Sequence, residues 1–212
     1  MNPAQTLAYW MGQCPLVAII RGVTPGEAEA IGDALYEGGI RIIEVPLNSP
    51  DPIESIRLLA ARFADRALIG AGTVLAPEQV AEVAAAGGRL IVSPNTYPPV
   101  IEASVAAGMV SSPGFFTPSE AFTALRSGAH ALKFFPAEAA TPAVVKGMKA
   151  VLPPEVPLLV VGGVSPNNVA AWVAAGADGF GLGSGVYKPG QDAETVSRQA
   201  AAYVEAVRSA RP

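Results

Sequence analysis

Short apolar runs rich in β-branched residues alternate along the chain with Ala-rich stretches whose apolar positions recur at helical spacing. The runs are PLVAIIRG (15–22), RIIEVPLN (41–48), ALIGAGTV (67–74), RLIVSPN (89–95), MVSSPGF (109–115), HALKFFPA (130–137), VPLLVVGGV (156–164) and GFGLGSGVY (179–187). Near-continuous apolar runs of this length read as strands buried on both faces, which is how parallel sheet looks in a sequence. Most are followed by a helix-start signal: TPGE (24–27), SPDP (49–52), APEQ (76–79), TPSE (117–120) and SPNN (165–168). Each signal puts proline at or near the first helical turn, where its missing N–H costs nothing. The helices then close on glycine, as in EGGI (37–40), AAGG (85–88), AAGM (106–109), RSGA (126–129) and AAGAD (174–178), because glycine adopts the left-handed cap without a Cβ clash.

The repeating unit is therefore strand, loop, helix and glycine cap, eight times over at about 20–25 residues each. It predicts an α/β fold, a closed (β/α)8 TIM barrel, as one domain over residues 1–212. An extra helix is expected over 3–12 and a final one over 193–209. An open doubly wound sheet alternates in the same way, but no GxGxxG follows the first run and eight units suit closure.

Composition narrows the choice of partner. Half the 212 residues are apolar, 15% are charged and the net charge is −4, so a nucleic acid would find no basic footprint. No apolar stretch reaches the roughly 20 residues that span a bilayer, and a soluble cytoplasmic protein is expected. Cys14 and His130 are the only residues of their kinds. That excludes an internal disulfide framework and a histidine-rich metal site, and leaves only an all-carboxylate magnesium site open. His130 is expected to be structural, and Cys14 has no activating neighbour.

Candidate chemistry sits at the strand ends. In a barrel, polar side chains at the C-terminal ends of strands point into the mouth where active sites form. Here these are Arg21, Glu44, Thr73 and Lys133. If Lys133 points inward, Ala131 and Phe135 share its side, while Leu132 and Phe134 face helices; Ile42 and Pro46 accompany Glu44. A buried lysine and glutamate can be an ion pair that holds register. They can equally be a nucleophile and its general base, since only a neutral amine attacks a carbonyl and burial or a cationic neighbour lowers the lysine pKa. Arg21 suits a structural carboxylate or a substrate carboxylate equally, and Thr73 suits a core hydroxyl or a ligand contact. The glycine-rich stretches GGVSPNN (162–168) and GLGSGVY (181–187) close consecutive strands. They read either as tight turns or as the phosphate site that barrels often build there.

Together, AIIRG (18–22), EVPLNSP (44–50), IGAGTVL (69–75), IVSPN (91–95), ALKFFPAE (131–138), VGGVSPNN (161–168) and GLGS (181–184) resemble the Schiff-base aldolases that cleave 2-keto-3-deoxy-6-phospho sugar acids. The resemblance covers nearly the whole chain. It is closer to the branch acting on the phosphogalactonate epimer. The phosphogluconate branch has a Thr-Leu-Arg run where this chain has Pro46-Leu47-Asn48, and a threonine where this chain has Val161. The resemblance implies that Lys133 forms an imine with the substrate ketone and that Glu44, through a water, moves protons. It implies further that Arg21 and Thr73 hold the carboxylate end, that Pro94, Phe135 and Val161 line the pocket, and that Gly162, Gly163, Gly183 and Ser184 hold the phosphate. The products implied are pyruvate and glyceraldehyde 3-phosphate, with no cofactor or metal, in a homotrimer. Phe115-Phe116 departs from the family pattern and would narrow the mouth. Two rivals fit the same barrel: a phospho-sugar isomerase or epimerase with Glu44 as base, and a non-catalytic phospho-ligand binding protein.

Overall fold

The computed structural model describes residues 1–211. Helix α1 (Pro3–Gln13) precedes β1 (Leu16–Ile19), after which strands and helices alternate: α2 (Pro25–Glu37), β2 (Ile42–Pro46), α3 (Pro52–Phe63), β3 (Leu68–Gly72), α4 (Pro77–Ala85), β4 (Leu90–Val92) and α5 (Pro98–Ala106). The second half continues with β5 (Val110–Ser112), β6 (Gly114–Phe115), α6 (Pro118–Arg126), β7 (Leu132–Phe134), a 3-10 turn (Ala137–Ala139), α7 (Pro142–Lys149), β8 (Leu158–Val161), α8 (Val169–Ala174), β9 (Gly179–Leu182) and α9 (Ala193–Ala210). Proline opens every helix from α1 to α7. Thr24 with Glu27 and Thr117 with Glu120 form capping boxes, each satisfying backbone N–H groups that the helix leaves without partners.

All strand pairs are parallel, in the order β5-β4-β3-β2-β1-β9-β8-β7-β6. The ends of that order, β5 and β6, are one stretch of chain broken only by Pro113, so the eight expected strands appear as nine. Proline has no N–H to give to the ladder, but its carbonyl accepts from Lys133 N at 2.9 Å, and Ser111 O accepts from Ala131 N at 3.2 Å. These bonds close the ring. A second departure concerns SPNN, whose proline does not start a helix. Residues 165–168 form a turn in which Asn168 Oδ1 accepts from Ser165 N at 2.8 Å, and α8 begins only at Val169.

The core has two parts. Between strands and helices lies a shell that includes Ile43, Val45, Leu132, Phe134, Val160 and Phe180. Inside the ring lies a smaller cluster that includes Ile42, Leu68, Val92, Val110, Ala131 and Leu159. Leu7 and Trp10 of α1 belong to the inner cluster and are 2% and 4% exposed. The extra helix is thus a plug that closes the N-terminal end of the barrel. Filling that end with an aromatic and an aliphatic side chain leaves only the opposite mouth for a ligand.

Candidate active site

The strand alternation places the two candidate catalytic groups as the sequence predicts. Ile43 and Val45 face the helices, which turns Glu44 of β2 inward with Ile42; Leu132 and Phe134 do the same for Lys133 of β7. Both polar side chains are buried, Glu44 to 2% and Lys133 to 7% exposure. Room for the Glu44 carboxylate comes from the neighbouring strand, where Gly72 pairs with Pro46 and a Cβ would collide with the carboxylate.

No N···O distance within 4.0 Å joins Lys133 to Glu44, and Glu44 Oε2 has no hydrogen-bond partner. Burial pushes the Glu44 carboxyl up to about 7, and the positive charges of Lys133 and then Arg21 only partly oppose it. Burial also lowers the Lys133 amine; Glu44 opposes that shift and Arg21 reinforces it. Both groups are driven towards their neutral forms, as expected when low dielectric outweighs mutual attraction. A register-holding ion pair would show short N···O contacts and the reverse shifts. The arrangement instead suits a nucleophilic amine beside a proton carrier. The Lys133 Nζ lies 4.8 Å from the Phe135 ring centroid, and Phe135 packs against the inner cluster. Val161 lines the internal cavity with Lys133 and Glu44.

Above this pair, the loops after β1, β2 and β3 meet. Arg21 Nη1 donates to Asn48 Oδ1 and, at 3.4 Å, to Thr73 Oγ1, while Gly22 N donates to Ser49 Oγ at 2.9 Å. Thr73 has φ of 56°, a left-handed conformation that a β-branched residue rarely adopts and that recurs at functional sites. Pro94 stands apart from this group. It is half-buried past β4, and its carbonyl lies where a side chain on Gly114 would stand. The Phe115-Phe116 pair does not narrow the mouth. Phe115 is buried in the helix-facing shell, and Phe116 stacks on Phe134 at 5.3 Å, because Phe134 itself points away from the barrel interior.

The two glycine-rich loops leave the sheet side by side, since Val161 of β8 pairs with Gly181 of β9. Gly162 and Gly163 have φ of 109° and 66°. A side chain at Gly162 would run into the Glu138 carboxylate, which the 3-10 turn brings over from β7. The backbone N–H groups of Gly163, Ser184 and Gly185 find no acceptor among the described residues. Such orphan donors on adjacent turns suit an oxyanion. Asn168 Nδ2 donates to Gly163 O at 2.8 Å, and Tyr203 of α9 donates its hydroxyl to Val164 O at 2.9 Å. Ser49, Glu138 and Tyr203 were not picked out from the sequence, and Asn48 only as a difference between the two branches. Ser49 and Glu138 lie within motif stretches and could have been found there; Tyr203, on a remote amphipathic helix, carried no signal.

Outside the site, His130 is structural, accepting at Nδ1 from Ser111 N at 3.1 Å. Cys14 is buried, and burial raises its thiol pKa. Among the described residues, no group of three or more His, Cys, Asp or Glu side chains is placed to hold a metal ion, and no helix is long and apolar enough to cross a membrane.

A parallel barrel that sets one buried amine beside one buried carboxyl, under a polar mouth and paired glycine loops, has the parts of an enzyme that works on carbonyl compounds through an imine. The family model for KDPG and KHG aldolases matches residues 8–199, and the chain belongs to that family. The 2-dehydro-3-deoxy-6-phosphogalactonate aldolase of Escherichia coli (strain K12) is 49% identical over 201 residues, covering 95% of this chain and 98% of its own length. A solved structure described as native KDPGal superposes with a TM-score of 0.92 at 49% identity, over 93% of this chain and 96% of its own. The KDPG aldolase of Legionella pneumophila, solved with pyruvate captured at low pH as a covalent carbinolamine intermediate, superposes with a TM-score of 0.80 at 28% identity. That match covers 100% of this chain and 99% of the other.

Proposed function

We propose that this chain is a Schiff-base aldolase that cleaves 2-dehydro-3-deoxy-6-phosphogalactonate to pyruvate and D-glyceraldehyde 3-phosphate. The observation that carries the reading is Lys133, a buried amine held inside the barrel mouth with no direct ion pair and a lowered pKa. The name of the 49% identical relative supports the substrate, and the captured carbinolamine of the Legionella enzyme supports the covalent chemistry.

In this scheme the neutral Lys133 amine adds to the C2 ketone. Glu44 in its acid form helps the carbinolamine lose water, which leaves a protonated imine. Glu44, now a carboxylate, takes the C4 hydroxyl proton. The C3–C4 bond breaks, its electron pair neutralises the imine nitrogen as an enamine, and the aldehyde departs. C3 then takes the proton that Glu44 holds, and one water hydrolyses the imine to pyruvate and free Lys133, returning a proton to Glu44. A group that must act as acid and then base works best with a pKa near the working pH, and Glu44 at about 7 meets that requirement. Arg21 and Thr73 would hold the carboxylate end, with Pro94 and Phe135 as walls and Gly162, Gly163, Gly183 and Ser184 around the phosphate. Val161 presents hydrocarbon where a threonine would offer a hydroxyl, which changes how the pocket discriminates between epimeric hydroxyls. The assembly and compartment we assign on the family resemblance are a homotrimer and the cytoplasm.

Borohydride reduction in the presence of pyruvate tests the covalent step. A stable adduct on the Lys133 peptide is expected; its absence at saturating pyruvate would overturn the imine mechanism and favour an isomerase or a silent binding protein. Side-by-side rates on the two 6-phospho epimers test the substrate, with the galactonate epimer expected to be faster. Sizing in solution at three chain masses is expected for the trimer, and a single chain mass would refute it.

A further inference from the structure

Lys133 and Glu44 line a cavity of about 20 Å³ inside the barrel that reaches down to Leu7 of the α1 plug. That is room for about one water molecule, which needs some 10–15 Å³ and two to four polar partners. Most of its wall is aliphatic, including Val17, Ile42, Leu90 and Leu159. Only three lining residues bring polar side chains: Glu44, Lys133 and Ser112 of β5. Ser112 is 1% exposed, and its Oγ, like Glu44 Oε2, has no hydrogen-bond partner within the protein. Ser112 points inward because Val110, two residues earlier on the strand, belongs to the inner cluster, and β5 bonds to the Lys133 segment through Ser111 and Pro113. An unpartnered buried hydroxyl is destabilising, so its place beside a second orphaned oxygen in one small cavity calls for a shared partner.

We propose that Ser112 is a positioning residue that holds the relay water between Lys133 and Glu44. This inference rests on the aldolase reading above. The Ser112 hydroxyl donates to the water oxygen, and one water O–H points to Glu44 Oε2. A proton leaving the Lys133 nitrogen passes to the water oxygen as the water passes its own proton to the Glu44 carboxylate. The water is unchanged, and one proton has moved from nitrogen to oxygen. The route prepares the neutral amine without help from bound substrate.

The test compares Ser112→Thr with Ser112→Val, which share a shape and differ in a hydroxyl against a methyl. The readout is the rate of imine formation with pyruvate, followed by borohydride quenching over time, together with the KM for the phosphorylated keto acid. Ser112→Thr is expected to stay within about threefold of the parent, and Ser112→Val to slow imine formation about tenfold with KM unchanged, the scale of one hydrogen bond. Equal rates for the two variants, whether both fast or both slow, would overturn the proposal, because packing alone then explains the position. If Ser112→Val does not fold, Ser112→Ala removes the hydroxyl without added bulk and must show the same slowing. A parent that forms no adduct at all would instead bring down the aldolase reading, so the two failures are distinguishable.

Discussion

Gly72 on β3 and Glu44 on β2 share one volume: the Glu44 carboxylate lies where a side chain on Gly72 would have to stand. The register that sets Pro46 against Gly72 makes this unavoidable. Gly72→Ala should therefore act as an active-site mutation although the residue bears no functional group. Displacing the carboxylate should lower kcat at least about a hundredfold, in the range that general acid–base groups supply. Overpacking should cost about 1–3 kcal/mol of stability. Steady-state kinetics with a parallel thermal melt checks both, and a variant with parent-like turnover would show that Glu44 is not held by this fit.

The raised Glu44 pKa makes two statements about pH. The acid form of Glu44 that dehydrates the carbinolamine, and so becomes the base at C4, is depleted above about pH 7, so kcat/KM should fall on the alkaline side with an apparent pKa near 7. Stability follows the same direction. The folded state binds this proton more tightly than the unfolded chain, whose carboxyl titrates near 4.5, so the contribution is present at low pH and lost as pH rises towards 7. The difference amounts to about 3 kcal/mol. Glu44→Gln should abolish cleavage yet raise the melting temperature at pH 8 more than at pH 5. Each kcal/mol corresponds to roughly 2–4 °C for a chain of this size. Melts at the two pH values decide the matter.

The Arg21–Asn48 hydrogen bond orients the guanidinium from the side. Asn48→Ala should leave Arg21 charged but free to rotate, raising KM for the keto acid about five- to tenfold. Borohydride adduct at saturating pyruvate should stay near the parent level. An unchanged KM would show that Thr73 alone suffices to hold Arg21.

Tyr203 reaches from α9 to Val164 in the loop after β8. Tyr203→Phe leaves that carbonyl without its partner and should loosen the first glycine loop. KM for the phosphorylated substrate should rise severalfold, while affinity for pyruvate, which has no phosphate, should not change. Parallel titrations of both ligands would separate this loop effect from general destabilisation, which would weaken both.

Much of this was legible in the sequence because the repeating unit is written in period and punctuation. Proline at helix starts, glycine at helix ends and uninterrupted apolar strands fix the barrel, and strand alternation then turns Lys133 and Glu44 inward. What was not legible depends on contacts across the ring. Ser112 is one serine in a run marked only by its two phenylalanines, and its importance appears only when β5 is set beside the Lys133 segment. Pro113 splits a strand because it has no donor for the ladder, which a run of apolar letters does not reveal. The sequence sets Phe115 and Phe116 at the mouth, but Phe115 packs in the helix-facing shell and Phe116 stacks on Phe134. Tyr203 acts from about forty residues away, through one carbonyl, and no local pattern marks it.

Because Leu7 and Trp10 stop one end of the barrel, the catalytic chamber is a blind alley with a single doorway. A keto acid anchored at Lys133 occupies the far end, and the aldehyde lies between it and the door. On the proposed chemistry, the aldehyde must therefore leave before pyruvate can. In the reverse direction pyruvate must enter first. Traffic through the enzyme is ordered by the shape of its corridor.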